Sequence, residues 1–334
     1  MTVLRRRISR RTWLGGAVAT GGTLAVGRSA RADQPRDRAL IAITLDLEMS
    51  RHFPVWEQTE WDYKKGLLDD DTKRYSVEAA RRVKAKGGLI HFFSVARVCE
   101  QEYIDWLEEI AADGHPIGNH TYDHVNVLAT KPEQIQFRFR RAPWLIAGRT
   151  PAEVIAENIR TASRALEQRA GIKPAGFRTP GGFHTGLTGR PDVQKMLLDQ
   201  GFTWVSSKYP RHDNCKRGER PSREVFESIR NAHAQAQPFV YPTGLVEVPM
   251  NPISDVGAFR SASWRLEDFL RMIREAVAWA IDNKGVFDFL CHPSCMHVAD
   301  PEFRTVELIC DLVREAGDRA AIVDLDTIAR RASA

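Results

Sequence analysis

Residues 39–48 read Ala39-Leu40-Ile41-Ala42-Ile43-Thr44-Leu45-Asp46-Leu47-Glu48. The apolar run Ala39–Leu47 predicts a strand. Its end turns polar at alternate positions, and two carboxylates at i and i+2 on a strand point to the same face. Outward from this strand the pattern repeats. Ser76–Lys86 predicts a helix stopped by Gly87-Gly88, and Leu89–Val95 a second strand. Glu100–Ala112 predicts a helix, and His115–His120 a short third strand running into a polar loop. Thr150-Pro151-Ala152-Glu153 is a helix start, with a capping Thr, Pro in the first turn and Glu three residues on. Ala175–Arg178, Phe202–Ser206 and Leu245–Met250 are further strands, with residues 207–240 expected as a long polar surface excursion. A helix with the stripe Leu266, Phe269, Leu270, Ile273, Val277 and Ile281 follows. Then come a strand at Val286–His292, a helix at Pro301–Glu315 and a last strand at Ala320–Leu325. Strands alternating with helices are the signature of βα units around a parallel sheet. Seven or eight units suit one α/β barrel domain over residues 33–334 better than two domains.

The formal charge of +5 belongs to one end of the chain. Residues 1–32 hold seven arginines and no acid; the rest has 41 basic against 43 acidic residues, a net charge of −2. The body therefore offers no electrostatic case for nucleic acid or anionic lipid. Within the basic end, Ser9-Arg10-Arg11-Thr12-Trp13-Leu14 resembles the twin-arginine export signal. A weakly apolar stretch from Trp13 to Val26 follows, then the small-x-small cleavage pattern Ala30-Arg31-Ala32. Residues 1–32 are expected to be a signal peptide read by the twin-arginine export machinery, with the mature protein starting near Asp33 and periplasmic or secreted. The stretch is too short and too rich in Gly and Thr for a span, which takes ~20 apolar residues, so no stable membrane anchor is expected. The five cysteines, Cys99, Cys215, Cys291, Cys295 and Cys310, match no zinc module or disulfide scaffold.

Chemistry-bearing residues stand where strands end, the rim at which (β/α) barrels gather their sites. Asp46 and Glu48 close the first strand. The third runs into Gly118-Asn119-His120-Thr121-Tyr122-Asp123-His124, whose histidines at i and i+4 can reach one metal ion. Phe177-Arg178-Thr179-Pro180-Gly181-Gly182 offers an arginine able to hold a carboxylate, followed by a tight turn. Phe287-Asp288-Phe289-Leu290-Cys291-His292-Pro293 ends in another histidine. Each alone has an ordinary reading: two solvated acids, an accidental histidine spacing, a plain turn, a packed imidazole. The four in order say more.

Together they resemble the polysaccharide deacetylase family, the NodB-homology domain of carbohydrate esterase family 4. Its motifs are T-F-D-D-G on the first strand, H-S/T-x-x-H, R-x-P-x-G and a late L-x-H. The match runs from Thr44 to His292, and the second and third motifs fit in full. The resemblance implies an irregular (β/α) barrel and a metal-dependent amide hydrolase. His120 and His124 would hold a divalent metal, by expectation zinc, that activates water and polarises the acetamide carbonyl. Asp46 would be the general base, held by Arg178, and His292 the general acid for the leaving amine. The metal and a backbone N–H after the histidine motif would stabilise the oxyanion. Two departures stand out. Leu47 replaces the family's second Asp, and in a D-x-E variant Glu48 becomes the third metal ligand. The D-x-x-D-W motif, whose Asp pairs with the acid histidine, is absent; the chain reads Trp204-Val205-Ser206-Ser207-Lys208-Tyr209. Asp288 is four strand residues from His292, too far to pair directly, so the partner of His292 has no assignment.

Trp56, Trp61 and Tyr63, after the first strand, are candidates for stacking on a sugar, or for loop cover. Asp123 and His184 lie in motif loops and are candidates for touching substrate, while Cys291 and Cys295 are expected to be inert buried thiols. The expected function is removal of N-acetyl groups from amino sugars of a glycan, chitin-like or peptidoglycan-like. The runner-up is an allantoinase-like hydrolase of a small cyclic amide or ureide, which the missing D-x-x-D-W motif and Leu47 favour. A non-catalytic carbohydrate-binding relative is the third, and the retention of Asp46, His120, His124, Arg178 and His292 argues against it.

Overall fold

A computed structural model describes residues 38–50 and 64–334. The export segment 1–32 and Trp56, Trp61 and Tyr63 lie outside the described residues. The first strand runs over Ala39–Leu47 (β1), with every residue buried. It is an interior strand next to one end of the sheet order: β2 (His91–Ser94) pairs on one side and β8 (Val286–Cys291) on the other, both parallel to it. Burial on both faces explains why this segment reads as a continuous apolar run.

The sheet continues from β2 through β3 (Ile117–Asn119), β4 (Phe177–Phe183), β5 (Trp204–Lys208) and β7 (Val246–Glu247), all parallel. An antiparallel strand, β6 (Phe239–Val240), ends it, and β9 (Ala320–Ile322) pairs with the start of β1. The strand order β6-β7-β5-β4-β3-β2-β1-β8 is an open path, yet the two ends approach each other. The Gln237 side chain accepts from Val286 N at 2.8 Å and donates to Val286 O at 3.1 Å, as a strand neighbour would. Asn251 N donates to Asp288 O at 2.9 Å. The result is a curled, incompletely closed barrel, the irregular (β/α) architecture expected from the sequence.

The helix after the Thr150 cap spans Pro151–Ala170, with a complete capping box between Thr150 and Glu153, and ends on Gly171 in the left-handed conformation. Residues 207–240 are not the irregular excursion expected. They include a helix over Arg223–Ala232 that buries Val225, Phe226, Ile229 and Ala232. Its apolar face is only four residues wide and is diluted by charged neighbours, so the local pattern looked like surface. Other short helices, among them Pro191–Asp199, Pro293–Ala299 and Leu325–Ser333, likewise went unanticipated. Among the described residues no helix is long and apolar enough to cross a membrane.

Close packing places the rim. Gly176, before β4, has φ +75° and leaves only 1.9 Å between an ideal Cβ and Trp204 Cζ2. Gly176→Ala is expected to cost about 1–3 kcal/mol, from overpacking plus an unfavourable φ. An unchanged melting temperature would contradict this account.

Candidate active site

The C-terminal ends of β1, β3, β4 and β8 open into a cleft of about 330 Å³ lined by Asp46, Glu48, Lys65, His120, His124 and His292, among others. Alternation along β1 sends Thr44, Asp46 and Glu48 to this interior, while Leu45 and Leu47 enter the apolar core behind it. Leu47 therefore cannot stand in for the family's second Asp. Glu48 projects to the same side as Asp46 instead.

Both histidines are delivered by a strained loop. Thr121 and His124 both have φ 60°, a region costly for side chains other than Gly, on the order of 1–3 kcal/mol each. The loop is braced to hold it. Asn158, on the Pro151–Ala170 helix, accepts from Tyr122 N and Asp123 N at 2.9 Å each, and Val125 N donates to Thr121 Oγ1 at 3.0 Å. Asp123 is a further brace: it is buried, ion-paired with Arg138 and bonded to Asn158 Nδ2 at 2.9 Å, and does not line the cleft. His184 does not line it either; it is exposed, with Nδ1 3.2 Å from Tyr209 O. The amides directly after the histidine motif are engaged as well, Val125 N with Thr121 and Asn126 N with Ile135 O, so neither can serve an oxyanion.

One ligand atom from each of Glu48, His120 and His124 lies within 4.8 Å of the others. His124 Nε2 is 2.7 Å and His120 Nε2 3.6 Å from Glu48 Oε2. Donors around a tetrahedral zinc at ~2.1 Å stand ~3.4 Å apart, so the His120 gap is near that spacing and the His124 gap must open. The tautomer of His120 supports the fit. Its Nδ1 is 3.0 Å from Arg178 O, which can only accept, so Nδ1 carries the proton and Nε2 presents a lone pair. That lone pair faces Glu48 Oε2 and, at 3.7 Å, Asp46 Oδ2. Lone pairs converging on one point call for a cation between them. Burial pushes His124 down to about 4, leaving a neutral imidazole suited to ligation. Burial also opposes ionisation of Glu48, but facing His124 and Lys65 outweighs it and holds the carboxyl well below its ordinary value.

Arg178 is fully buried and crosses the barrel interior. Nη1 donates to Asp46 Oδ1 at 3.0 Å and to Thr44 Oγ1 at 2.8 Å, and Nη2 to Asp288 Oδ2 at 2.6 Å. In a flat sheet β4 and β8 would be ~19 Å apart, four strand spacings, so this contact depends on the curl. Burial disfavours the guanidinium charge, and the carboxylates of Asp288 and Asp46 more than offset that.

Asp288 thus serves Arg178, and the partner of His292 lies elsewhere, in a residue sequence reasoning missed. Asp255 accepts from His292 N at 2.7 Å through Oδ2 and from His292 Nδ1 at 2.9 Å through Oδ1. It is completely buried at the start of a π-helical turn, Val256–Ser261. With Nδ1 donating to Asp255, His292 Nε2 faces Asp46 Oδ2 at 4.0 Å and Glu48 Oε1 at 3.6 Å. Burial alone would lower the His292 pKa; Asp255, then Glu48 and Asp46, reverse that and raise it. The only local signal for Asp255 is an acid in the otherwise uncharged stretch after β7, Asn251-Pro252-Ile253-Ser254-Asp255. All five cysteines are free; Cys291 and Cys295 are buried, and burial raises both thiols, which makes them poor nucleophiles.

Residues 67–199 match the family model described as polysaccharide deacetylase. Similar solved structures include a probable polysaccharide deacetylase from Pseudomonas aeruginosa PAO1, 15% identical over 89% of this chain and 91% of that one, TM-score 0.58. A putative polysaccharide deacetylase from Mycobacterium smegmatis is 16% identical over 89% and 91%, TM-score 0.58. Puue allantoinase is 14% identical over 89% and 90%, TM-score 0.55. At these identities the likeness is one of fold. No curated protein matches the sequence. The matched segment carries His120, His124 and Arg178, so the part of the chain that is similar to the polysaccharide deacetylase family holds three of the residues gathered at the cleft.

Proposed function

We propose that this chain removes N-acetyl groups from amino sugars of a chitin-like or peptidoglycan-like glycan, with one divalent metal, zinc by our reading. The observation that carries this is the convergence of Glu48, His120 and His124 beside two differently held proton carriers, Asp46 and His292. A divalent cation at the three ligands supplies Lewis acidity to the carbonyl and lowers the pKa of water. The chain's own residues do the rest. Asp46, fixed through Oδ1 by Arg178, turns Oδ2 to the cleft to take a proton from the attacking water. His292, fixed through Nδ1 by Asp255, turns Nε2 to the cleft to give a proton to the leaving amine. One acceptor and one donor on facing sides of a scissile amide are what hydrolysis requires.

We read residues 33–334 as one catalytic domain, with residues 1–32 as a twin-arginine signal directing it to the periplasm or beyond. A ureide or cyclic amide is the second substrate class, favoured by Lys65 as a cation of the chain's own on Glu48. One assay separates the two: acetate release from chitin oligomers and peptidoglycan beside ureide turnover, with metal counted on the purified protein. Acetate release with about one metal per chain, falling at least tenfold on chelation and restored by zinc, is the expected result; ureide turnover that survives chelation would replace this reading.

A further inference from the structure

We propose that Lys65 is the built-in cation of the metal centre: it fixes Glu48 as a one-oxygen ligand and holds the site's affinity for a divalent ion below what its ligands alone would give. The inference rests on the metal reading of Glu48, His120 and His124 above.

Lys65 is not a wandering surface lysine. It is 5% exposed and its ammonium contacts Glu48 Oε1. Its backbone is pinned on the continuation of β1, because Met49 N donates to Lys65 O at 3.0 Å. The next residue, Gly66, lies so close to helix residue Arg97 that an ideal Cβ would come within 2.7 Å of Arg97 Cβ. The chain can pass there only without a side chain, and that passage aims Lys65 inward.

The two Glu48 oxygens are thereby divided. Oε1 receives the Lys65 ammonium and, at 3.0 Å, the Ser50 hydroxyl. Oε2 is turned to His124 and His120. A carboxylate so held offers a metal one oxygen, in one orientation. Ser50 is itself clamped, since its N donates to Ser294 Oγ at 2.7 Å and Arg260 Nη1 donates to its carbonyl at 2.6 Å. The orientation of Glu48 therefore does not depend on Lys65 alone; Lys65 supplies the ammonium in direct contact with it, with Arg260 and His292 as further groups acting on its charge. A buried carboxylate without a counter-charge is costly, so Lys65 stabilises the metal-free fold. The same charge stands a few ångströms from any ion on Oε2 and repels it in surroundings that screen poorly. Losing one hydrogen bond to Glu48 weakens the ligand less than losing that repulsion strengthens the site.

The test uses the whole mature protein, stripped with chelator, its zinc affinity measured against a chromophoric chelator and its melting followed with and without zinc. Lys65→Met is expected to bind zinc at least tenfold more tightly, to melt lower than wild type when stripped, and to gain more on adding zinc. Lys65→Arg, which keeps the charge, is expected to follow wild type on all three. If Lys65→Met fails to fold, Lys65→Gln takes its place with the same expectations. Tight stoichiometric zinc binding that His120→Ala abolishes but Lys65→Met leaves unchanged or weakens would overturn this proposal and spare the metal reading. Wild-type protein with no zinc binding dependent on His120 would overturn both.

Discussion

Asp46→Asn is expected to lower kcat roughly 100- to 10,000-fold, the range for loss of a general base, while metal content stays at the wild-type level. The separation of the two effects follows from geometry. Asp46 is not among the three residues whose ligand atoms cluster, and its Oδ2 lies to one side of them, 3.7 Å from His120 Nε2 and 4.0 Å from His292 Nε2. Its other oxygen is spent on Arg178. Asparagine keeps the volume and can still accept from Arg178 through its amide oxygen. The amide nitrogen then faces the cleft, where it can donate but cannot take a proton. Arg178 keeps Asp288, so the barrel interior should hold and the melting temperature should move little. The measurements are steady-state kinetics, bound metal and thermal melting on the same preparation. Near-normal turnover with metal in place would make Asp46 a structural acid and require another base.

What could be read in the sequence and what could not divide along a physical line. Features fixed by neighbours a few residues away were legible: the β1 run, the Thr150 capping box, the i, i+2 acids and the i, i+4 histidines. The exclusion of Leu47 from the cleft follows from strand alternation alone. Features fixed by contacts across the barrel were not. Asp255 meets His292 from 37 residues away, and it sits on an irregular segment where no periodicity marks a buried acid. Asp288 shares a strand face with His292 but stands too far along the strand to pair with it; that it serves Arg178 follows from the curl of the sheet, which no local pattern encodes. Nothing in Lys64-Lys65-Gly66 marks Lys65 as buried; it is held inward by the Met49 N–Lys65 O bond and the close pass of Gly66 by Arg97. The first two backbone amides after the histidine motif are taken up for a related reason: Val125 N braces the strained Thr121 and Asn126 N meets Ile135 O, contacts that no local pattern marks.

The acid side of the site yields the second large effect. His292→Ala should cost on the order of 100- to 10,000-fold in kcat and remove the alkaline limb of the pH–rate profile. Asp255→Asn tests the coupling between them more sharply. His292 must be protonated to give a proton to the leaving amine, so activity falls as pH rises through its pKa. Burial pulls that pKa down and Asp255 is the largest influence pushing it up. Taking away the Asp255 charge therefore lowers the His292 pKa, and the alkaline limb should move to lower pH. The rate at the optimum should fall as well, because an asparagine offers one oxygen where Asp255 uses two, on His292 N and Nδ1. A purely structural role for Asp255 predicts a uniform loss of rate with the profile unmoved. Because Asp255 is completely buried, melting of the variant must be followed to show that the protein is folded at each pH. An alkaline limb that stays in place in folded Asp255→Asn, or persists in His292→Ala, would assign that limb to another group and remove His292 as the acid.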